Sequence, residues 1–263
     1  MKEEPQSKVQ QVDRRAKMDT KIRLVEELSL NAHPALNTMF YDGWILRFAD
    51  GYTNRANSVN MLYPSQLPLA DKIDFCESAY SKQNLPTVFK VTPISANVDN
   101  ILAERGYAVV TPTNLMTMNI PEPFSTDFNF SIVSEGINGD WQDNYFRLNQ
   151  TNIKKIPVAK QIQGKINNRA LTATLSDENE VVACGLCVIE QSYAGLYDIV
   201  VSPQFRRKGY GQDICSALIY RGINCGAKKA YLQVVADNVG AIELYKKLGF
   251  TDLYQYWYRV KDI

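Results

Sequence analysis

Two stretches of this chain repeat one another without a gap. "TVFKVTPISANVDNILAERGYAVV" lies on "KAYLQVVADNVGAIELYKKLGFTDL" with Gly106-Tyr107 on Gly249-Phe250, Val88 on Tyr231, Val91 on Val234 and Leu102 on Tyr245. Both copies read strand, loop, helix, glycine, aromatic, strand, an order that suggests two copies of one α/β unit, the alternative being chance similarity of a common pattern. The length of 263 residues agrees, since one domain takes roughly 100–200. Upstream the register shifts, and matching Cys76 with Cys215 and Pro64 with Pro203 puts Leu67, Ala70 and Lys72 opposite Arg206, Gly209 and Gly211. The first copy therefore lacks a glycine loop that the second has.

The remaining elements follow from periodicity and breakers. Residues 1–18 are polar and read as a flexible segment, after which Asp19 or Thr20 caps a helix to about Leu28 with Ile22, Val25 and Leu28 on one side. "WILRFADGYTNRANSVNMLY" reads as strand, Asp50-Gly51 turn and a second extended run to Pro64. A helix over about Leu67–Lys82, the strand "TVFKV", a helix ending at Gly106 and extended "YAVVTPTNLMTMNI" complete a unit over 19–120. "PEPFSTD", 121–127, reads as a linker, and 128–263 as the second unit.

Charge excludes several classes of partner. Lys+Arg 29 against Asp+Glu 28 leaves +1, which gives no global attraction to nucleic acid or an anionic membrane. No apolar run approaches the roughly 18 residues of a membrane span, and "MKEEPQSKVQ" lacks a signal-peptide core, so a cytoplasmic protein is expected. Cys184 and Cys187 spell C-x-x-C, but within "VVACGLCVIE", which reads as a strand, and residues three apart there point to opposite faces. His33 is the sole histidine, without a Cys or His neighbour, so no metal site is expected.

The segment "SPQFRRKGYGQD" carries the chemistry. An apolar strand, "LYDIVVSPQ", ends at Pro203, and "GYGQDICSALIYRGINCGA" begins a helix with Ile214 and Leu218 on one face and Gly226 as its stop. Between them Arg206, Arg207 and Lys208 precede Gly209, Tyr210 and Gly211. Backbone N–H groups and a helix N-terminus converge there, which favours an anion, and cations at that point are unfavourable unless an anion joins them. The alternative is a solvated basic loop with two turn glycines. The spacing is R-x-x-G-x-G, unlike the dinucleotide G-x-G-x-x-G or the triphosphate loop.

This loop, following a V-V-S-P strand, resembles the acyl-CoA pyrophosphate loop of the GNAT superfamily of N-acetyltransferases. "ADNVGAIELYKKLGF" is similar to the second motif of that family, matching Asn238, Ala241, Tyr245, Gly249 and Phe250. The resemblance covers about residues 128–263. It implies a mixed α/β fold with a mostly antiparallel central sheet flanked by helices, here in two tandem copies of which the first is degenerate. It also implies acetyl-CoA as cosubstrate, an amine-bearing acceptor, and pairing of the pantetheine arm with Ile199, Val200 and Val201. Asn238 would contact the cofactor and Tyr245 would protonate the departing thiolate. "DGWILRFADGYTNRANSVN" also looks like the opening of tandem GNAT-like bacterial proteins, without chemistry attached.

Acetyl transfer needs a neutral amine, a stabilised oxyanion and a protonated leaving thiolate. Tyr245 is the candidate acid, the alternative being a core aromatic beside Ile242 and Leu248. A backbone N–H near Val200 or Val201 is the expected oxyanion donor. Asp198, two residues before Val200 and so on the same face, is the candidate base, with a buried structural hydrogen bond as the alternative and Glu190 as a second candidate. Trp141, Tyr145 and Phe146 could wall the acceptor pocket or pack the core, and the aromatics of "LYQYWYRV" could line it or the interface between halves. Two other classes fit the chain, a non-catalytic acyl-CoA sensor and a protein-interaction module. The acceptor amine and the oligomeric state are open at this point.

Overall fold

A computed structural model of the chain describes residues 5–125 and 132–262, with side chains from residue 10 onward. The chain runs through α1 (Pro5–Ala32), β1 (Asn37–Tyr41), β2 (Trp44–Phe48), β3 (Val59–Met61), α2 (Leu69–Ser81), β4 (Thr87–Val91), α3 (Asp99–Glu104) and β5 (Ala108–Asn119). It continues through β6 (Ile132–Glu135), α4 (Gly139–Leu148), α5 (Ile156–Gly164), β7 (Arg169–Asp177), β8 (Glu180–Glu190), β9 (Tyr193–Val201), α6 (Tyr210–Asn224), β10 (Lys229–Val235), α7 (Val239–Lys247) and β11 (Thr251–Lys261). None of the described helices is long and apolar enough to cross a membrane.

The described strands form one sheet in the order β1-β2-β3-β4-β11-β5-β10-β9-β8-β7-β6. Pairing is antiparallel except for β3 with β4 and β9 with β10. The order is nearly symmetric about the central β11–β5 pair: β3 and β4 in the first half correspond to β9 and β10 in the second. The two halves exchange their last strands. β5 leaves the first half to pair with β10, and β11 leaves the second to pair with β4. Gly106 and Gly249, matched in the repeat, both turn the chain into these strands with φ of 85° and 99°, a region open to glycine and costly for other residues.

Alternation along the strands sorts the core into two faces. α2 and α3 cover the first half and α6 and α7 the second on one face, with Phe89, Val91, Met116 and Cys187 beneath them. On the other face α1, α4 and α5 cover Val88, Leu115, Cys184, Tyr254, Tyr256 and Tyr258. Cys184 and Cys187 thus lie in opposite layers, as strand periodicity requires.

α1 corrects an expectation. Residues 5–18, expected to be flexible, continue the helix, while residues 1–4 lie outside the described residues. Thr20 is not a cap, since its hydroxyl donates back to Ala16 O at 2.9 Å inside the helix. The Lys, Gln and Arg of "SKVQQVDRRAK" are good helix formers, so the apolar stripe of Ile22, Val25 and Leu28 marks where the helix becomes buried, not where it starts. The expected linker over 121–127 falls partly on residues 126 and 127, outside the described residues, as does the 128 start of the second unit.

Candidate active site

The site grows from a defect in β9. Leu186 pairs with Tyr197 and Cys184 with Val200, so β9 carries one extra residue there, and Asp198 sits in that bulge with φ of 52°. The parallel ladder between β9 and β10 ends at Leu196↔Leu232, although both strands continue. Past the bulge, Ile199, Val200 and Val201 hold β8 along one edge and leave β10 along the other, where β10 remains paired to β5 as far as Val235↔Thr113. The result is a gap through the sheet, bordered by unpaired backbone.

The glycine loop closes one end of this gap. Gly209 is the N-cap of α6 with φ of 91°, and a side chain added to it would meet nothing within 4 Å. The approach to its backbone is therefore open. Gly211 is tight for a different reason: a Cβ there would stand 2.8 Å from Leu244 Cδ1, so its absence lets α6 and α7 approach. Asp177 steadies the loop from the β7–β8 turn, accepting from the Tyr210 hydroxyl at 2.7 Å and lying 3.6 Å from Lys208 Nζ. Arg206 Nε donates to Val201 O at 3.4 Å, and Arg207, exposed, holds φ of 66°. These backbone amides at a helix N-terminus can cradle an anion.

The corresponding place in the first half is filled from within. Asp42 accepts from the backbone N–H of Gln66 at 3.0 Å and of Leu67 at 3.0 Å, and it pairs with Lys72 Nζ at 3.0 Å. Lys72, buried under the Trp44 ring at 4.0 Å, occupies the position of Gly211. A carboxylate of the chain itself thus sits where the second half leaves its amides free.

The two candidate catalytic side chains lie on opposite faces of the gap. Asn238 caps α7, its Oδ1 accepting from Ala241 N at 3.2 Å, and so fixes the helix that carries Tyr245. Tyr245 is buried against Phe250 on the α6–α7 face, in the same apolar layer as Ile199 and Val201. Burial raises the pKa of its phenol, which stays protonated, and its hydroxyl makes no hydrogen bond among the described residues. Asp198 faces the α4–α5 side, accepting from Tyr145 Oη at 3.1 Å and from Gln163 Nε2 at 3.3 Å. Burial lifts its carboxyl above the ordinary range, against the pull of the Tyr145 hydrogen bond and of Arg55.

Other expectations sort themselves by place. Tyr145 packs the core as one of its two readings had it, stacking on Trp141, and its hydroxyl donates to Asp198, a contact the sequence did not suggest. Glu190 stands apart, at the turn end of the β8–β9 hairpin, held by Asn31 and Asn168. Five residues of β9 separate that end from Asp198, roughly 17 Å of strand. The aromatics of β11 are interior, with Tyr256 Oη donating to Gln233 Oε1 at 2.8 Å. Sequence reasoning missed Tyr52 and Arg55, which the first half sends to the neighbourhood of Asp198. Their signal was the turn-rich "DGYTNRAN" between two strands, which is too long for a simple hairpin.

Comparison with known proteins gives a consistent picture. Residues 19–259 match the family model described as "Probable histone acetyltransferase Rv0428c C-terminal". The chain is 28% identical over 245 residues to the uncharacterized N-acetyltransferase YobR of Bacillus subtilis (strain 168), covering 91% of this chain and 98% of that one. A ribosomal protein bS18-alanine N-acetyltransferase of Salmonella typhimurium is 31% identical over 93 residues, 35% of this chain and 63% of that one. Among solved structures, a GCN5-related N-acetyltransferase from Kribbella flavida superposes with a TM-score of 0.67 at 12% identity, covering 91% of this chain and 95% of that one. A tandem GNAT protein from the clavulanic acid biosynthesis pathway gives 0.65 at 12% identity, with 90% and 87% covered.

Proposed function

The chain belongs to the GNAT superfamily of N-acetyltransferases, in the family of the Rv0428c C-terminal region, and on that premise we propose that it moves the acetyl group of acetyl-CoA to a primary amine, with the second half catalytic. The observation that carries this reading is the gap between β9 and β10, opened by the bulge at Asp198 and closed at one end by the free amides of the glycine loop. Asn238 and Tyr245 border it from α7. These residues fit an extended acyl-CoA: amides for the pyrophosphate, unpaired strand edge for the amide-bearing arm.

The chemistry follows from the two faces. The amine nitrogen attacks the thioester carbon, the N–C bond forms and the C–S bond breaks. Asp198, its carboxyl lifted above the ordinary range by burial and so a stronger base than an exposed aspartate, takes the amine proton from the α4–α5 side. A backbone N–H at Val200 or Val201 donates to the developing oxyanion. Tyr245 gives its proton to the leaving sulfur from the α6–α7 side, so the base and the acid do not neutralise each other. A panel of primary amines assayed for free CoA thiol tests the reading. Release with at least one amine is expected, and release with none sinks it.

Two binding experiments bear on the cradle. Calorimetry should find one CoA per chain, because Asp42 fills the first half's loop, and two equivalent sites would contradict that. Gly209→Val should weaken CoA binding by about 10- to 100-fold, since a β-branched residue at φ of 91° costs roughly 1–3 kcal/mol unless the loop moves. Arg207→Ala should cost less, an exposed cation adding only a screened attraction that fades with salt. The reverse ranking would mean that charge, not backbone, makes the site.

A further inference from the structure

α5 carries a polar residue where its neighbours bury carbon. Ala159 and Ile162 pack inward from this helix, and Gln163 beside them is buried as well. A buried carboxamide needs hydrogen bonds, and Gln163 engages one of its two N–H donors and one of its two lone pairs. Its Oε1 accepts from Gln142 Nε2 of α4 at 3.0 Å, and its Nε2 donates to Asp198 Oδ2 at 3.3 Å. The other carboxylate oxygen, Oδ1, is held from α4 by Tyr145 Oη at 3.1 Å. At 3.3 Å the Gln163 contact is long, since an N–H between ionised partners stands about 2.7–2.9 Å from its oxygen. Asp198 thus has one oxygen fixed by a phenol and one loosely occupied by an N–H donor.

Gln163 also stands between two spaces. On one side it lines a cavity with Tyr52, Tyr197 and Asp198, about 10 Å³ in volume and so room for a single water. On the other side it lines, with Ile166, a groove of about 350 Å³ between α4, α5 and the β6 end of the sheet. That volume reaches the lower end of the range of small-molecule sites, roughly 300–1,000 Å³. The groove walls are neutral and polar, with Gln142 and Asn168 presenting carboxamides and Gly136 and Gly164 presenting backbone. Its one charged lining residue is Glu135, which Arg169 Nε meets at 2.9 Å. Lys165, next to Gly164, is turned to Leu36 O at 2.9 Å. Among the described residues, a ligand lying in the groove meets amides and no free cation.

We propose that this groove receives the body of the acceptor, an amine with uncharged hydrogen-bonding groups of the amino-acid amide class, and that Gln163 keeps the place on Asp198 Oδ2 that the amine takes. The inference rests on the acetyl-transfer reading above and adds the substrate class and its way in. A turn of Gln163 away from Asp198 joins cavity and groove, so that the amine end lies at the carboxylate and the body in the larger space. The exchange is like for like: an amide N–H leaves Oδ2 as an amine N–H arrives, and the carboxylate is not left unpaired. The nitrogen then bonds to the acetyl carbon, Asp198 gains the amine proton, and the sulfur departs with the proton of Tyr245. An acceptor with its own carboxylate would lose that group's hydration and find no cation in return. Gln163 is in this account a specificity-determining residue, since whatever reaches Asp198 must replace its N–H.

The test uses the full chain with L-amino-acid amides and the matching free acids as acceptors. Free-thiol release should favour the amides by about 10-fold or more in kcat/KM, because the acids bring an unpaired charge into the groove. Gly164→Phe should fill the groove at little cost to the fold, since Gly164 ends α5 without a positive φ and a Cβ there meets nothing within 4 Å. It should raise the KM for the amide about 10-fold or more and leave the KM for acetyl-CoA and the Tm near wild type. Gln163→Ala should lower the amide KM by about 3- to 10-fold with kcat within a few-fold, the effect of one hydrogen bond the amine no longer has to displace. A glutamine that only fills space would leave that KM unchanged or raise it. Acids used as well as amides, an amide KM indifferent to Gly164→Phe, or one that does not fall in Gln163→Ala would each overturn the proposal. Should no amine release thiol, acetyl transfer itself fails, and calorimetry of L-alaninamide with CoA-loaded protein decides the groove alone. Binding weakened 10-fold or more by Gly164→Phe would support it, and binding that is absent or insensitive to that substitution would end it.

Discussion

Replacing Tyr245 by phenylalanine is expected to lower kcat by about 10²–10⁴-fold, the usual contribution of a general acid, and to leave acetyl-CoA affinity within about two-fold. The separation of the two effects is the point of the experiment. Tyr245 is buried on the α6–α7 face with its ring against Phe250, and phenylalanine keeps that packing. Only the hydroxyl is lost, and among the described residues it holds no structural hydrogen bond whose loss could disturb the fold. Pre-steady-state thiol release and calorimetry on the same preparation read the two quantities. An unchanged rate would return Tyr245 to the core and, with CoA still bound, would favour an acyl-CoA sensor.

The second large effect concerns stability. Lys90 Nζ meets both oxygens of Glu26 at 2.7 and 2.8 Å, the Tyr254 hydroxyl donates to Glu26 Oε1 at 2.5 Å, and all three residues are buried. This cluster joins α1, β4 and β11, and the ammonium also stands 3.9 Å over the Tyr256 ring. Lys90→Met should cost about 3–5 kcal/mol, because it strands the Glu26 carboxylate in the interior. At roughly 2–4 °C per kcal/mol for a chain near this size, Tm should fall by about 6–20 °C. The double variant Glu26→Leu with Lys90→Met should recover most of that loss, since no charge is then left unpaired. A single variant as stable as the wild type would show that the pair is not shielded from water as its burial implies.

What the sequence made legible was local. The strand "TVFKV", the glycine loop, the α6 stop at Gly226 and the Asn238 cap each depend on a few adjacent residues, and each stands where the residues put it. The faces of Cys184 and Cys187 followed from period-two alternation alone. Long-range pairing was not legible. "LYQYWYRV" alternates as a strand, but nothing in its pattern says that it lies between β4 and β5. The bulge at Asp198 also left no trace, because an aspartate at positive φ looks like any other in a one-letter string. Arg55 drew no reading in the sequence, and its Nε is enclosed only in a fold that brings Ala49 and Ala56 onto Ile162 of α5. Asp42 was silent for the same reason, lying far in sequence from the Gln66 and Leu67 amides it fills.

The exchange of β5 and β11 sets an order of events on the ribosome. β4 is synthesised early, yet its neighbour on the central side is β11, residues 251–261. Until those residues have emerged, the nascent first half carries an unpaired inner edge with Val88, Phe89 and Val91 ready to be buried, the kind of exposed strand that invites association between chains. β5 meanwhile waits for β10, so neither half can mature as the other is being made. The centre of the sheet, where β11 stands between β4 and β5, can therefore close only after residues 251–261 have been made.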